Sequence, residues 1–473
     1  MELHPYLQRT GEQPLYVQLY RYIKEQMETG MITAGDGLPS IRLLAQQLAI
    51  SRNTVEAAYQ QLIAEGYVTS KPKSGLLVAP LETEWGQLSR PQQKPLLSLN
   101  ISVKKQIDTW RYDFHYGHIE LDRFPLKAWR KRINEVLDYQ SQDIFLYGDP
   151  QGERDLREQI ASYLFQARDV TCCPEQIIMC AGAQQAISLI CQLLGADRLG
   201  VAVENPGYDG VRAVFARSGC DILPIPLEED GIDLDKLERS GAKLAYITPS
   251  HQLPLGMVLP IQKRLRLLAW AERHESLVIE DDYDSEYRYQ GHPIPSLKGL
   301  DTRERVIYMG TFSKSFLPAV RISYLVLPSW LIERFYQSFP VYSQPCSPII
   351  QSALARFMKY GDFERHVRKM RTIYQRKHQT LLSAIDTHMG EKVEVIGSRA
   401  GLHILLKVQG MTRQELIRKA RAWGVNVDSP ERYWIDPAQC PDGLLILGFG
   451  GLSEKEIGEG IATLAKAWFG RMH

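Results

Sequence analysis

The chain has 473 residues, more than one ordinary domain needs and enough for at least one large hydrophobic core. Its 56 Lys and Arg residues nearly balance its 55 Asp and Glu residues, so charge gives no chain-wide sign of a nucleic-acid partner, and any DNA site must be local. Seven cysteines without metal-ligand spacing are typical of a reduced, cytoplasmic protein, and the sequence shows neither a secretion signal nor a membrane-spanning apolar run.

Residues 14–78 predict three helices followed by a hairpin. The apolar residues of "PLYVQLYRYIKEQMETG" fall on one helix face, and "LPSIRLLAQQLAISRNTVEAAYQQL" divides into two helices with Ser40 and Ser51 as N-caps. The next segment, "YVTSKPKSGLLVA", reads as two short extended arms around a turn. This order is typical of a winged helix-turn-helix, so we predict a DNA-binding domain over residues 1–79.

In such a domain the second helix of the motif lies in the DNA major groove, while the preceding helix and the wing contact phosphates. Arginine and asparagine are suited to paired hydrogen bonds with guanine and adenine edges. The predicted DNA contacts are Ser51, Arg52, Asn53 and Thr54 on the second helix, Arg42 on the preceding helix, and Lys71 and Lys73 in the wing. A solvated polar helix face is the alternative explanation. Because one such domain binds weakly, we expect a dimer on double-stranded DNA with paired half-sites.

Residues 80–112 contain three prolines among polar residues, which predicts a linker. From residue 113 onward, apolar strands such as "SLVIEDD" and "RVIYMG" alternate with helices such as "AISLICQLL". The alternation predicts an α/β domain over residues 113–473, with a mostly parallel sheet and helices on both faces. After about residue 330 helices dominate, and "GLHILLKV" and "GLLILGFG" read as strands of a smaller C-terminal α/β lobe.

Ligands of open α/β sheets bind beyond the carboxyl ends of the strands, so the residues that follow each predicted strand are the candidates for a binding site. Four of these strand ends carry chemically useful groups. They are the helix start Gly182, Ala183 and Gln184 in "CAGAQQA", Tyr208 in "ENPGYDG", Asp281 in "IEDDYDSEYR", and Lys314 in "TFSKS", with Arg321 seven residues later.

Together these groups match the needs of pyridoxal 5'-phosphate (PLP). Its aldehyde requires an amine such as Lys314, its pyridine nitrogen a carboxylate such as Asp281, and its ring an aromatic face such as Tyr208. Its phosphate requires N–H donors and a cation, which the 182–184 turn and Arg321 supply. We also expect Arg321 to lower the pKa of the Lys314 amine. Singly, each group also fits a solvated lysine, an ordinary helix start or, for the acids, a metal site; the set favours PLP and predicts no metal.

Longer segments resemble a known family. From about residue 113, "ENPGY", "TPSHQLPLG", "EDDYDSEYRY" and "TFSKSFLPAVRISYLV" resemble fold-type I PLP enzymes of the aspartate aminotransferase superfamily. With "PSIRLLAQQLAISRNTVEAAYQQL", the whole chain resembles MocR/GabR-type regulators, in which a GntR-like winged helix is fused to an aminotransferase-like domain. The resemblance implies that Lys314 forms an aldimine with PLP, Asp281 pairs with its pyridine nitrogen, Tyr208 stacks on its ring, Tyr283 approaches its ring hydroxyl, Thr311 and Arg321 hold its phosphate, and Tyr147 reaches the phosphate of the partner subunit in a homodimer.

Two positions depart from the aminotransferase pattern. Aminotransferases commonly carry "HNPTG", whereas "HQLPLG" here places Leu253 nearest the asparagine that contacts the ring hydroxyl. The C-terminal strand "LLILGFGGL" lacks the arginine that binds a substrate carboxylate. Arg432 in "SPERYWID" is the candidate replacement that binds an effector carboxylate, and an exposed loop arginine is the alternative explanation.

The resemblance therefore implies a cytoplasmic, PLP-dependent DNA-binding transcriptional regulator. It would sense PLP, or a small amine or amino-acid effector, through aldimine chemistry, with at most half-reaction or weak transaminase activity. The sequence does not name the effector and leaves four classes open: an ω-amino acid, a D-amino acid, a sulfonated amine and the cofactor itself. Two alternatives are an active PLP-dependent aminotransferase with a fused DNA-binding domain, and an interaction protein whose pocket binds no cofactor.

Overall fold

The structure, a computed structural model, describes residues 3, 5, 7–8, 13–71, 75–80, 110–139, 142–195, 197–289, 294–339 and 342–470. The chain divides into two compact units, Met1–Ile107 and Asp108–His473. Most of the linker predicted at 80–112 lies outside the described residues. Within those residues, no helix is both long and apolar enough to cross a lipid bilayer.

The first unit has the predicted order of three helices and a hairpin. Its elements are α1 (Leu15–Glu28), α2 (Ile41–Gln47), α3 (Arg52–Ala64), β1 (Val68–Lys71) and β2 (Gly75–Val78). The Ser40 hydroxyl accepts a hydrogen bond from the Leu43 N–H at 3.2 Å, and the Ser51 hydroxyl accepts one from the Thr54 N–H at 3.1 Å. Both predicted N-caps are therefore confirmed. The strands β1 and β2 pair in antiparallel register.

The three helices bury one shared apolar core. Leu19 and Ile23 of α1, Leu44 of α2, and Val55 and Leu62 of α3 are fully buried in it. The residues that begin α3 point away from this core and are exposed. Packing therefore leaves the start of α3 free for an external partner.

The second unit contains thirteen strands. They are β3 (Tyr112–Asp113), β4 (Ile177–Cys180), β5 (Gly200–Asn205), β6 (Asp221–Glu228), β7 (Gly231–Ile232), β8 (Leu244–Ile247), β9 (Leu277–Asp282), β10 (Val306–Thr311), β11 (Ser323–Val326), β12 (Val393–Ile396), β13 (His403–Val408), β14 (Val425–Asn426) and β15 (Leu444–Gly448), all within the described residues.

Its described helices number thirteen as well. They are α4 (Leu126–Tyr139), α5 (Arg154–Arg168), α6 (Ala183–Leu194), α7 (Asp209–Arg217), α8 (Leu234–Arg239), α9 (Ile261–Arg273), α10 (Leu297–Leu300), α11 (Phe312–Ser315), α12 (Ser329–Ser338), α13 (Pro348–Lys359), α14 (Asp362–Met389), α15 (Arg413–Ala422) and α16 (Glu454–Phe469).

Eight strands form one sheet in the order β4-β11-β10-β9-β8-β5-β6-β7. The neighbours from β6 through β10 are parallel, and β11 runs antiparallel between β10 and β4. Successive residues of β9 pack on opposite faces: Val278 packs in the cluster of Leu267 and Trp270 from α9, and Ile279 in that of Ile187 and Phe215. The predicted mostly parallel sheet with helices on both faces is confirmed.

The smaller lobe is built on the antiparallel sheet β12-β13-β15, and the predicted strands "GLHILLKV" and "GLLILGFG" correspond to β13 and β15. In the large sheet, β8, β9 and β10 are adjacent and parallel, so their carboxyl ends lie at the same edge. Asp281 and Lys314 belong to this edge, one near the end of β9 and the other in α11 directly after β10.

Candidate cofactor site

The Lys314 side chain is partly buried beside an aromatic ring. Its Nζ lies 4.6 Å from the ring centroid of Tyr116, and its main-chain carbonyl accepts a hydrogen bond from the Tyr287 hydroxyl at 3.2 Å. Burial lowers the pKa of the amine to about 8, and the carboxylate of Asp284 opposes that shift. The expectation that Arg321 lowers this pKa was wrong, because burial is the cause. At neutral pH a usable fraction of the amine is therefore unprotonated and nucleophilic.

Asp281 lies buried near the carboxyl end of β9. The hydroxyl of Tyr246 on the adjacent β8 donates a hydrogen bond to its carboxylate. Burial raises the pKa of Asp281 to about 7, although the Tyr246 hydrogen bond acts in the opposite direction. A buried carboxyl group in this state gains from a cationic N–H partner, since such a partner would favour the ionised form. Tyr246 was not anticipated, because a tyrosine inside an apolar strand reads as core.

A cradle for an anion forms where β4 meets α6. Gly182 precedes this helix with φ 96°, and a Cβ there would collide with the guanidinium of Arg321. The Arg321 side chain is exposed, and its Nη2 donates to the Ala181 carbonyl at 3.4 Å. The first N–H groups of α6, from Ala183 and Gln184 onward, have no acceptor within the helix. A guanidinium and free helix N–H groups thus meet at one point.

Thr311, predicted to hold the phosphate, is the N-cap of α11. Its hydroxyl accepts a hydrogen bond from the Ser313 N–H at 3.1 Å and lies 3.0 Å from the Ser313 hydroxyl. Gln184, in contrast, is exposed, and its side chain donates to the Gly210 carbonyl at 3.3 Å. Ser313 was absent from the predicted set, although it lies inside the quoted "TFSKS".

An aromatic and apolar cluster also belongs to the site. Tyr208, the N-cap of α7, is partly buried, and it packs with Tyr116, Tyr283 and Tyr433 in one cluster that also contains the buried Leu253. Leu253 therefore adds apolar surface where aminotransferases commonly have an asparagine, and it has no side-chain donor for a ring hydroxyl.

Tyr283 is engaged with a buried histidine that sequence reasoning missed. The Tyr283 hydroxyl donates to the His251 carbonyl at 2.9 Å and lies 3.0 Å from His251 Nδ1. The same Nδ1 is 2.9 Å from a carboxylate oxygen of Asp284. The His403 ring packs 4.9 Å from that of His251, and burial keeps the pKa of His403 well below its usual value. The quoted "TPSHQLPLG" and "EDDYDSEYRY" contained His251 and Asp284, so their position beside Tyr283 was the available signal.

Arg432 and Tyr147 are the remaining predicted site residues of the second unit. Arg432, in a 3-10 turn over Glu431–Tyr433, is exposed, and its Nη2 donates to the Tyr433 hydroxyl at 2.9 Å. Tyr147 is 98% exposed and contributes nothing to the pocket of its own chain. Arg432 is thus exposed, as the alternative explanation expects, although its guanidinium has a local partner, and its role in binding an effector carboxylate stays a prediction.

The acids of "IEDD" do not form a metal site. Glu280 accepts hydrogen bonds from the Leu297 and Lys298 N–H groups at 2.8 Å, and Asp282 forms an ion pair with Arg168 at 2.7 Å. Across the described ranges, no group of three or more His, Cys, Asp or Glu side chains is arranged to hold a metal ion.

The predicted DNA contacts of the first unit have two different surroundings. Arg42, Arg52 and Asn53 are exposed, whereas Ser51 and Thr54 face each other at the helix start, with their hydroxyl oxygens 2.8 Å apart. The side chain of Lys71 and all of Lys73 lie outside the described residues.

Comparison with known proteins agrees with this arrangement. Residues 15–78 match the gntR family of bacterial regulatory proteins, and residues 113–443 match aminotransferase class I and II. Over 470 residues the chain is 43% identical to the uncharacterized HTH-type transcriptional regulator YdeL of Bacillus subtilis, covering 99% of this chain and 100% of that protein. It is 33% identical to the probable rhizopine catabolism regulatory protein MocR of Rhizobium meliloti, covering 98% and 95%. The chain belongs to the MocR type of HTH-type transcriptional regulators.

The second unit of this MocR-type chain also resembles solved aminotransferases. The kynurenine aminotransferase of Pyrococcus horikoshii, solved in complex with PMP, is 26% identical, with a TM-score of 0.67 and coverage of 75% of this chain and 90% of that one. The regulator therefore has a fold-type I aminotransferase domain.

The residues present fit PLP in three independent respects. Lys314 is an amine whose pKa burial has lowered to about 8, and Asp281 is a buried carboxyl group whose pKa burial has raised to about 7. The cradle at Gly182 has the shape and donors of an anion site and the cation Arg321 beside it. The amine, the acid and the cradle all lie at the carboxyl ends of strands of one sheet, the edge at which ligands of open α/β sheets bind.

Proposed function

We propose that this MocR-type protein is a PLP-dependent transcriptional regulator. Its first unit binds double-stranded DNA, and its second unit holds PLP and senses either the cofactor or a small amine or amino acid that reacts with it. The observation that carries the proposal is the partly buried amine of Lys314, with a pKa lowered to about 8, at the sheet edge that also bears Asp281. An amine in that state has a chemical use that a solvated lysine lacks.

Each residue of the site has a stated task in this proposal. Lys314 holds the cofactor covalently, Asp281 keeps the ring nitrogen protonated, and Tyr208 covers the ring. Arg321 and the N–H groups at the start of α6 bind the phosphate. When bound, PLP supplies an electrophilic carbon at which one amine replaces another. Displacement of the Lys314 amine by an effector is then the event that the protein senses.

A regulator agrees with the site better than an active aminotransferase does. Leu253 is buried and apolar, so the chain offers no amide at that position to hold a ring hydroxyl. The relatives over the full length are named as regulators. We infer that any transamination is partial or slow, which allows an occupied state to persist long enough to act as a signal.

The proposal includes a homodimer on paired DNA half-sites. Tyr147 is 98% exposed on its own chain, which agrees with a role at the phosphate of the partner subunit. Two DNA-binding units held together also raise the affinity that one unit lacks. Because the DNA lies in the cytoplasm, this function requires a cytoplasmic protein.

The proposal is tested with the purified full-length protein, the Lys314→Ala variant, and Lys455→Ala as a control. Lys455 lies on α16 with its side chain 84% exposed, so its loss removes a lysine without touching the pocket. After PLP loading and borohydride reduction, mass spectrometry should locate the cofactor on Lys314 in the parent and control. DNA affinity, measured with a promoter fragment from its own gene region, should depend on PLP or an added amine. Cofactor attached at another lysine would overturn the site assignment.

A further inference from the structure

The turn that carries Arg432 is hydrogen-bonded to the large sheet domain. The Arg432 side chain has a local partner, since its Nη2 donates a hydrogen bond to the hydroxyl of the fully buried Tyr433 at 2.9 Å. Its backbone is held from outside: the Gly207 N–H donates to the Tyr433 carbonyl at 3.0 Å, and the Ile435 N–H donates to the Asn205 side chain at 3.0 Å. Gly207 and Asn205 belong to the segment that ends β5 and leads into Tyr208.

Arg212 of α7 supplies the charged part of this attachment. Its Nη2 donates to the Arg432 carbonyl at 3.0 Å, and its Nη1 donates to the Tyr433 carbonyl at 3.1 Å. The guanidinium thus spans two successive carbonyl groups of the turn. Two charge-assisted hydrogen bonds from one rigid fork fix the direction of the turn as well as its position.

Arg212 has no carboxylate within ion-pair distance among the described residues, and the side chain is partly buried. Burial lowers the pKa of its guanidinium, with only the more distant Asp209 acting against that shift. A partly desolvated cation needs acceptors, and the only ones it has in the described chain are the carbonyls of 432 and 433. The Arg212 guanidinium therefore depends on the Arg432 turn for its hydrogen-bond acceptors.

We propose that Arg212 is a positioning residue for effector recognition: it holds the Arg432 turn in place before an effector arrives. The inference rests on the proposed function and on the expectation from the sequence that Arg432 binds the acid group of the effector. A cation that is already placed loses less conformational entropy on binding than one recruited from a mobile loop. Removing Arg212 should then weaken binding of amines that carry an acid group and leave simple amines unaffected.

The test uses full-length, PLP-loaded parent, Arg212→Ala, Arg212→Lys and Arg432→Ala. Arg217→Ala is the matched control, since Arg217 lies exposed on the same helix. Each protein is titrated with taurine, with β-alanine and with ethylamine, while the absorbance of the bound cofactor is recorded. Ethylamine is the counterpart of the other two amines without the acid group. High concentrations of primary amines react with any accessible bound aldehyde, so the titrations do not depend on knowing the natural effector. Amide hydrogen exchange over 205–207 and 431–435 is measured in parallel.

In the parent and in Arg217→Ala, the acid-bearing amines should saturate at lower concentration than ethylamine. Arg212→Ala should lose roughly tenfold of that preference, as Arg432→Ala does, with an unchanged ethylamine titration and faster exchange in the turn. Arg212→Lys should recover part of the preference, since one of the two hydrogen bonds survives. Equal losses for all amines, or no loss, would overturn the inference. Failure of the parent to bind PLP would instead contradict the proposed function itself.

Discussion

The guanidinium of Arg321 occupies the space that a side chain at Gly182 would need. Gly182 has φ 96°, a backbone region that residues with a Cβ rarely adopt, and an added Cβ would collide with Nη2 of Arg321. The helix α6 starts directly after it. The proposed phosphate cradle thus depends on the absence of a side chain at Gly182 and on the presence of a cation, Arg321, from the turn that precedes β11.

We predict that Gly182→Ala weakens PLP binding by roughly tenfold or more, because Arg321 must shift and the turn must adopt a strained conformation. The matched control is Gly458→Ala, since a Cβ at that helical position meets no atom within 4 Å. Fluorescence titration with PLP measures both variants. Unchanged affinity in Gly182→Ala would show that the phosphate binds elsewhere.

The pKa of Lys314 makes a prediction about pH. The neutral amine is the nucleophile, and burial lowers its pKa from 10.5 to about 8. The rate at which PLP attaches to the cofactor-free protein should therefore rise with pH and level off above about 8. Stopped-flow absorbance between pH 6 and pH 10 measures it. A rate still rising steeply at pH 10 would mean that the amine has an ordinary pKa.

In the cofactor-free protein, the buried carboxyl group of Asp281 should lower the free energy of unfolding at neutral and higher pH. Its pKa in the folded protein is about 7, against 3.8 for an ordinary aspartic acid. Between pH 3.8 and about 7, Asp281 is therefore protonated in the folded chain and ionised in the unfolded chain. The free energy of unfolding therefore falls as pH rises from about 4 to 7. Asp281→Asn removes this loss, so the cofactor-free variant should be more stable than the parent at pH 8, by on the order of 4 kcal/mol, and equal near pH 4.

The same Asp281→Asn variant should bind PLP more weakly, because the ring nitrogen loses its charged partner. Thermal unfolding at pH 4.5 and pH 8 gives the stability comparison, and titration with PLP gives the affinity. A stability difference that is the same at both pH values would show that the pKa of Asp281 is not raised on folding. An unchanged PLP affinity would contradict the pairing of Asp281 with the ring nitrogen.

Much of the fold could be read from the sequence because local signals agreed with the tertiary structure. Ser40 and Ser51 cap their helices as predicted, and the apolar runs "SLVIEDD" and "RVIYMG" correspond to the adjacent parallel strands β9 and β10. The strand β6 was not predicted, because it contains Pro224 and Pro226, and proline is rare inside strands.

The site was harder to predict where it depends on distant partners. Tyr246 and His251 lie beside Asp281 and Tyr283 only because β8 and the segment after it pack against β9. The pKa of Lys314 follows from burial, which a sequence does not display, so the charge of Arg321 was given too much weight. The roles assigned to the site residues stay predictions until the variants are measured.

Substitutions of two arginines in the first unit should distinguish recognition of the DNA sequence from affinity for any DNA duplex. Arg52, exposed at the start of α3, is predicted to contact a base edge, and Arg42, exposed on α2, a phosphate. Arg52→Ala should reduce discrimination between operator and random duplex, corresponding to about 1–3 kcal/mol, whereas Arg42→Ala should weaken binding to both alike. Lys73→Ala, in the predicted wing, should behave like Arg42→Ala. Fluorescence anisotropy at several salt concentrations measures both effects, and interchanged outcomes would place a different helix in the groove.

The central claim is that amine exchange at Lys314 controls DNA binding. The most direct measurement titrates an effector amine while recording cofactor absorbance and operator affinity on the same sample, for the parent, Lys455→Ala and PLP-loaded Lys314→Ala. The two signals should change together in the parent and control, with one shared midpoint, and the Lys314→Ala variant should show no dose-dependent change in DNA affinity with that midpoint. If Lys314→Ala changes its DNA affinity with the same effector dose dependence as the parent, displacement of the Lys314 amine is not the switch and the account is contradicted.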